Sequence, residues 1–112
     1  MPEIILANQK CEACEGGVPP LTKQEIDDLW PQLAEGWNLS DDQKMITREF
    51  DFDDFAGALK FVNKVGSLAE EEGHHPNIYL TWGKAVIKLT THAIDGLSVN
   101  DFVMAVKTDK LY

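Results

Sequence analysis

The chain has 112 residues, 44% of them hydrophobic, which suits one compact domain with a core of its own. Ten Lys and Arg stand against 19 Asp and Glu, a formal net charge of -9, so no basic stripe is available to neutralise phosphates and nucleic-acid binding is excluded as an expectation. No apolar run is long enough to span a bilayer, and residues 1–10 read as neither a signal nor a transit peptide. A cytoplasmic protein with reduced thiols and no membrane contact is expected.

Residues 1–20 lack periodicity and are rich in Gly, Pro and Glu, which reads as a flexible N-terminal arm. Both cysteines fall there, in Cys11-Glu12-Ala13-Cys14. A C-x-x-C pair can be redox-active or half of a zinc site. Redox use calls for a helix opening after a strand, yet Gly16-Gly17 and Pro19-Pro20 follow. A structural zinc takes four ligands, and no second cysteine pair exists. An inert tail is the preferred reading, with metal and redox roles left open.

A single domain is expected over residues 21–112. Thr22-Lys23-Gln24-Glu25 is a capping box with Leu21 as its staple, and Ile26, Leu29, Trp30 and Leu33 follow at helical spacing. Pro31 should kink or tighten this helix near its end, and Gly36 closes it. Trp37–Ser40 and Lys44–Phe52 read as a hairpin around Asp41-Asp42, the second strand having one apolar face. Asp53 or Asp51 can cap the next helix, whose stripe runs through Phe55, Leu59, Val62, Val65, Leu68 and Ala69, widened by Ala58 and Phe61. It ends in Glu70-Glu71-Glu72, against the helix macrodipole, a choice of the kind retained for function. Asn77–Trp82 and Ala85–His92 are two strands joined at Gly83-Lys84. Ser98 and Asp101 resemble a second capping box, opening a helix that carries Val99, Phe102, Val103 and Val106.

This order predicts an α+β fold: a four-stranded antiparallel sheet with about three helices packed on one face, in the sequence helix–strand–strand–helix–strand–strand–helix. The other face of the sheet and the last helix are the expected subunit contacts.

All three histidines, His74, His75 and His92, fall at one end of the second strand pair. With Gly83-Lys84 as the turn, paired residue numbers sum to about 167, which sets His75 opposite His92 on one sheet face. His74 then points to the other face, and a one-residue slip exchanges the two. Imidazole is the side chain whose ordinary titration lies near neutral pH, so the gathering points to proton transfer. A carboxylate nearby would fix the ring tautomer and favour its charged form; Glu70, one helical turn before His74, and Asp101 are the candidates. Two other readings stand beside this one. The histidines could merely terminate a helix and a strand, or three imidazoles and a water could hold zinc, although adjacent histidines on an extended segment do not easily share one ion.

The spaced pattern Glu70, His74-His75-Pro76, Trp82, His92 and Asp101 resembles that of the pterin-4a-carbinolamine dehydratases, known in animals also as dimerisation cofactors of a homeodomain transcription factor. Gly36-Trp37 and the Thr91-His92 to Gly96-Leu97-Ser98 stretch share the resemblance, which covers about Leu21 to the C-terminus. It implies dehydration of 4a-hydroxytetrahydrobiopterin to the quinonoid dihydropterin and water, in support of pterin recycling. No metal, nucleotide or redox cofactor is implied. His74, His75 and His92 would surround the pterin, His74 and His92 as the acid–base pair and His75 binding the ring. Glu70 and Asp101 would orient imidazoles, with Trp37 walling the pocket and Pro76 beside it. The resemblance further implies a homodimer or homotetramer and an aromatic amino acid hydroxylase as pathway partner. The alternatives are a binding, assembly or regulatory protein that uses its sheet edge or last helix, and a dehydratase-like role in another pterin pathway such as that of molybdopterin.

Overall fold

The computed structural model of the protein describes residues 4–12 and 18–112. Thr22 accepts from the Glu25 N–H and Glu25 accepts from the Thr22 N–H, so the capping box opens α1 (Lys23–Leu29) as expected. Pro31 has no N–H to continue the α ladder, and the chain tightens into a single 3-10 turn over Trp30–Gln32. Strands β1 (Asn38–Leu39) and β2 (Ile46–Asp51) form the first hairpin. Helix α2 (Phe55–Glu72) is capped by Asp54, which accepts from the Gly57 N–H; Asp53 and Asp51 do not serve. Gly73 ends α2 in the left-handed conformation. Strands β3 (Asn77–Thr81) and β4 (Lys84–Leu89) form the second hairpin, and α3 (Val99–Asp109) is last.

The sheet is antiparallel throughout, in the order β1-β2-β4-β3. Ile46, Arg48 and Phe50 face Leu89, Ile87 and Ala85 across the β2–β4 ladder, and the five apolar residues of this set, with Arg48 among them, form the sheet's helix-covered face. Helices α2 and α3 pack on it. The buried line of α2 is Ala58, Phe61, Val65 and Ala69, whereas Phe55 and Leu59 of the expected stripe remain exposed. Helix α3 is buried along nearly its whole length, from Asn100 to Val106 and again at Thr108. It therefore cannot serve as the outward subunit contact expected of it.

The β3–β4 turn differs from expectation by one position. The turn residues are Trp82 and Gly83, Thr81 pairs with Lys84, and partner numbers sum to 165. Gly83 takes φ +71, which side chains resist, and a Cβ there would stand 3.2 Å from the Phe52 carbonyl oxygen. The glycine must therefore occupy the second place of the turn. Moving a hairpin turn by one residue shifts partners by two, so every side chain keeps its predicted face. Strand β4 ends at Leu89, and His92 lies in a 3-10 turn (His92–Ile94), not in a strand opposite His75.

Residues 4–12 also depart from the flexible arm expected. Leu6 is fully buried in the core, its N–H donates to Gln32 Oε1 at 2.9 Å, and the Gln32 amide returns a bond to the Ile4 carbonyl. Lack of periodicity concealed this, because a single apolar anchor leaves no pattern to read.

Asp109, at the end of α3, gathers the far side of the core. It accepts from Arg48 at 2.6 Å, from Trp37 Nε1 at 2.9 Å and from the Ala34 N–H at 3.2 Å. The Arg48 guanidinium lies 4.4 Å over the Phe50 ring. Replacing Asp109 with Ala strands a largely buried cation and an indole N–H. The variant should lose roughly 2–4 kcal/mol in urea unfolding at unchanged m-value; a loss within experimental error would show that the cluster is not structural.

Candidate active site

Asp101 sits in the first turn of α3 and is completely buried. Its Oδ2 accepts from the Ser98 N–H at 3.0 Å, the capping-box bond, and from the Thr91 hydroxyl at 2.7 Å. Its Oδ1 lies 2.7 Å from His74 Nε2. A carboxylate out of water needs such donors, and three together offset its burial. The acceptor in turn assigns the tautomer: His74 carries its proton on Nε2, leaving Nδ1 as a lone pair when the ring is neutral. The Thr91 hydroxyl proton is committed to Asp101, so the Ser98 hydroxyl, 2.8 Å away, donates to Thr91.

His75 pairs through Nε2 with Glu70 Oε2 at 2.5 Å, but both side chains are exposed and water screens the contact. The two expected carboxylates thus each orient an imidazole, Asp101 taking His74 and Glu70 taking His75. His92 is exposed, and its ring makes no hydrogen bond among the described residues. Its position is set by the loop 91–96, closed by the Thr91 N–H to the Gly96 carbonyl at 2.9 Å. Gly96 is required there, since a Cβ would meet Pro20 at 2.7 Å.

The three imidazoles line one cleft of about 260 Å³, together with Glu12, Thr90 and Thr91. Although they do not share a strand pair, His74 and His75 follow the end of α2, His92 follows β4, and the loops meet at the same edge. A larger groove of about 610 Å³ runs along the outer side of α2 past Leu59, Leu68 and Leu111, but no histidine lines it. Chemistry converges on the smaller cleft, and we take that as the site. Two expected contributors are absent from its lining. Trp37 is buried against Phe50 and bonded to Asp109, eight residues along α3 from Asp101, or about 12 Å. Pro76 likewise does not line the cleft. Trp82 is exposed at the hairpin turn. Among the described residues, no three His, Cys, Asp or Glu side chains approach closely enough to hold a metal, which counts against the three-histidine zinc arrangement.

Thr91 and Glu12 are site residues that the sequence reading did not assign. Thr91 could have been found as the neighbour of His92, but Glu12 had no signal beyond its place between the cysteines. The Cys11 N–H donates to Glu72 Oε1 at 2.9 Å, and the other Glu72 oxygen pairs with Lys107 at 2.9 Å. Burial opposes the Glu72 charge, yet the Cys11 N–H and Lys107 outweigh it and hold the carboxyl below its ordinary value of 4.5. Burial pushes the Cys11 thiol up to about 12, with the Glu72 carboxylate adding to the shift. A thiol so firmly protonated is a poor nucleophile, against a redox role for Cys11; Cys14 lies outside the described residues.

Comparison with known proteins follows the same line. The family described as Pterin 4 alpha carbinolamine dehydratase matches residues 19–111. A relative from Alkaliphilus metalliredigens named for pterin-4-alpha-carbinolamine dehydratase is 50% identical over 105 residues, 94% of each chain. One of the same name from Rubrobacter xylanophilus is 50% identical over 106 residues, 95% of this chain and 97% of the relative. Among solved structures, a transcriptional coactivator/pterin dehydratase from Brucella melitensis superposes with a TM-score of 0.76 at 32% identity, covering 82% of this chain and 97% of that one. A pterin dehydratase-like RuBisCO assembly factor of the alpha-carboxysome shares the fold at a TM-score of 0.60 and 24% identity, over 69% of this chain and 89% of that one.

Because the folded Glu72 carboxyl titrates below its unfolded value, its tether on the arm is complete above about pH 4.5 and is lost as pH falls through the lower folded value. The Cys11 and Glu12 amide NMR shifts should move toward disordered-chain positions over that acid range. Glu72→Gln should show loosened shifts already at pH 7; native shifts in that variant would refute the tether.

Proposed function

Since the chain belongs to the pterin-4a-carbinolamine dehydratase family, and so among the hydro-lyases, we propose that it dehydrates 4a-hydroxytetrahydropterin by histidine acid–base catalysis. In the reaction the C4a–O bond breaks as an acid protonates the departing hydroxyl. A base removes the N5 proton, and the electrons of that N–H bond form the C4a=N5 double bond of the quinonoid product. Water is the only other product, and the proton count balances. His74 is the base in this reading: its Nε2–H is held by Asp101, so the free lone pair is on Nδ1, and the cation formed is stabilised beside a buried carboxylate. His92, with no carboxylate attached among the described residues, is the acid. His75, steadied by Glu70, binds the ring face.

The observation that carries the proposal is the meeting of all three imidazoles at one cleft with His74 wired to a buried aspartate. In the cell such an enzyme would follow an aromatic amino acid hydroxylase, which releases the 4a-hydroxy compound, and would return the cofactor for reduction. A second reading is a binding or assembly role. It draws on exposed apolar side chains, Phe55 and Leu59 on α2 and Ile78 and Tyr79 on the edge strand β3.

Decay of freshly generated 4a-hydroxytetrahydropterin separates the two. Wild type should accelerate it, and His74→Ala and His92→Ala should each lower kcat by roughly 10²–10⁴-fold. His92→Ala should keep its melting temperature, whereas His74→Ala, which takes a donor from Asp101, should melt several degrees lower yet remain folded at the assay temperature. A folded wild type that leaves the decay at the buffer rate would favour the binding reading instead.

A further inference from the structure

We infer that Glu12, on the segment preceding the family-matched region, recognises the pyrimidine edge of the pterin, its carboxylate accepting from the 2-amino group and the adjacent N3–H. The inference rests on the proposed dehydratase reading and adds to it the residue that selects the ring.

The first ground is supply and demand of acceptors in the cleft. The pyrimidine edge of a pterin presents two neighbouring N–H donors, which a carboxylate can take with both oxygens, as it takes an arginine fork. Most acceptors near the cleft are already engaged. Both oxygens of Asp101 are bonded and Glu70 is turned to His75, while the Thr90 and Thr91 hydroxyls donate to the Lys44 carbonyl and to Asp101 and offer only neutral oxygens as acceptors. Among the described residues, Glu12 is the one carboxylate that lines the cleft, and its side chain has no hydrogen bond or ion pair there. The residues around it, imidazoles and threonines, leave that edge otherwise without an anionic acceptor.

The second ground is how firmly Glu12 is placed. Its N–H donates to Asn100 Oδ1 at 2.9 Å and its carbonyl accepts from Asn100 Nδ2 at 2.6 Å, so one buried amide clamps both sides of the residue. The preceding N–H is held by Glu72. Asn100 adjoins Asp101 and Glu72 stands two residues before His74, so the anchors of the arm are built into the segments that carry the site. An exposed side chain on a doubly fixed backbone is pre-organised for a ligand, because less freedom remains to be lost on binding.

The test uses a 7,8-dihydropterin and the matching 7,8-dihydrolumazine, in which an oxo group replaces the 2-amino group. That exchange removes one donor and presents an acceptor to the carboxylate. Equilibrium binding to wild type should favour the dihydropterin by roughly tenfold or more. In Glu12→Gln the preference should shrink to near unity, because the amide can donate to the oxo group. KM for the carbinolamine should rise while kcat changes less. Glu12→Ala, which keeps the same backbone clamp, should lose the preference as well, with melting temperatures confirming that both variants are folded. A wild-type preference retained in either variant overturns the role of Glu12 and leaves the dehydratase reading intact. A wild type that binds neither ligand overturns both together.

Discussion

A buried carboxylate with three donors holds the candidate site together. Asp101 receives the N–H of Ser98, the hydroxyl of Thr91 and the imidazole of His74, which come from the entry to α3, the exit of β4 and the exit of α2. None of these segments is positioned by its own sequence alone. Losing any one donor would leave charge in an apolar interior with less to offset it, at a cost of one to several kcal/mol by general experience. The same three bonds that offset the burial of the carboxylate also orient His74, the proposed base. One residue therefore caps a helix and fixes an imidazole of the candidate site.

Helix α3 is accordingly more than a cover for the sheet. Its first turn carries Asp101 and its last residue is Asp109, each organising a separate polar cluster around an otherwise apolar rod. Negative charge suits the N-terminal end of a helix and opposes the C-terminal end. At the latter, Arg48 supplies the opposing charge directly, and Trp37 and Ala34 complete the shell. The glutamates closing α2 follow a similar logic. Glu70 meets His75, and Glu72 meets Lys107 and the backbone of the arm, so two residues unfavourable for their own helix are used by neighbouring segments.

Features governed by neighbours in sequence were legible before any coordinates. The Thr22 and Ser98 capping boxes, the tightening at Pro31 and the alternation of β2 depend on local spacing and are found. The histidines gather as well, but through the loops after α2 and β4 and not across a strand pair. What escaped depended on contacts far along the chain. The β3–β4 turn was placed one residue late because the requirement on Gly83 comes from Phe52, thirty-one positions earlier. The stripe of α2 was drawn too wide toward Phe55 and Leu59, since periodicity gives a direction but not the extent of what covers it. Trp37 was assigned to the cleft from the resemblance, yet its indole N–H is claimed by Asp109. The arm was misjudged because Leu6 and Glu12 are held by Gln32 and Asn100, partners with no sequence proximity.

Fastening His74 to α3 has a bearing on durability. That helix is the most enclosed element among the described residues, and Asp101, the middle member of the Thr91–Asp101–His74 chain, is fully buried in its first turn. Segments so enclosed exchange their amide hydrogens through the largest openings of a protein. The anchor point of His74 should therefore outlast fraying of the arm or the hairpin tip on warming.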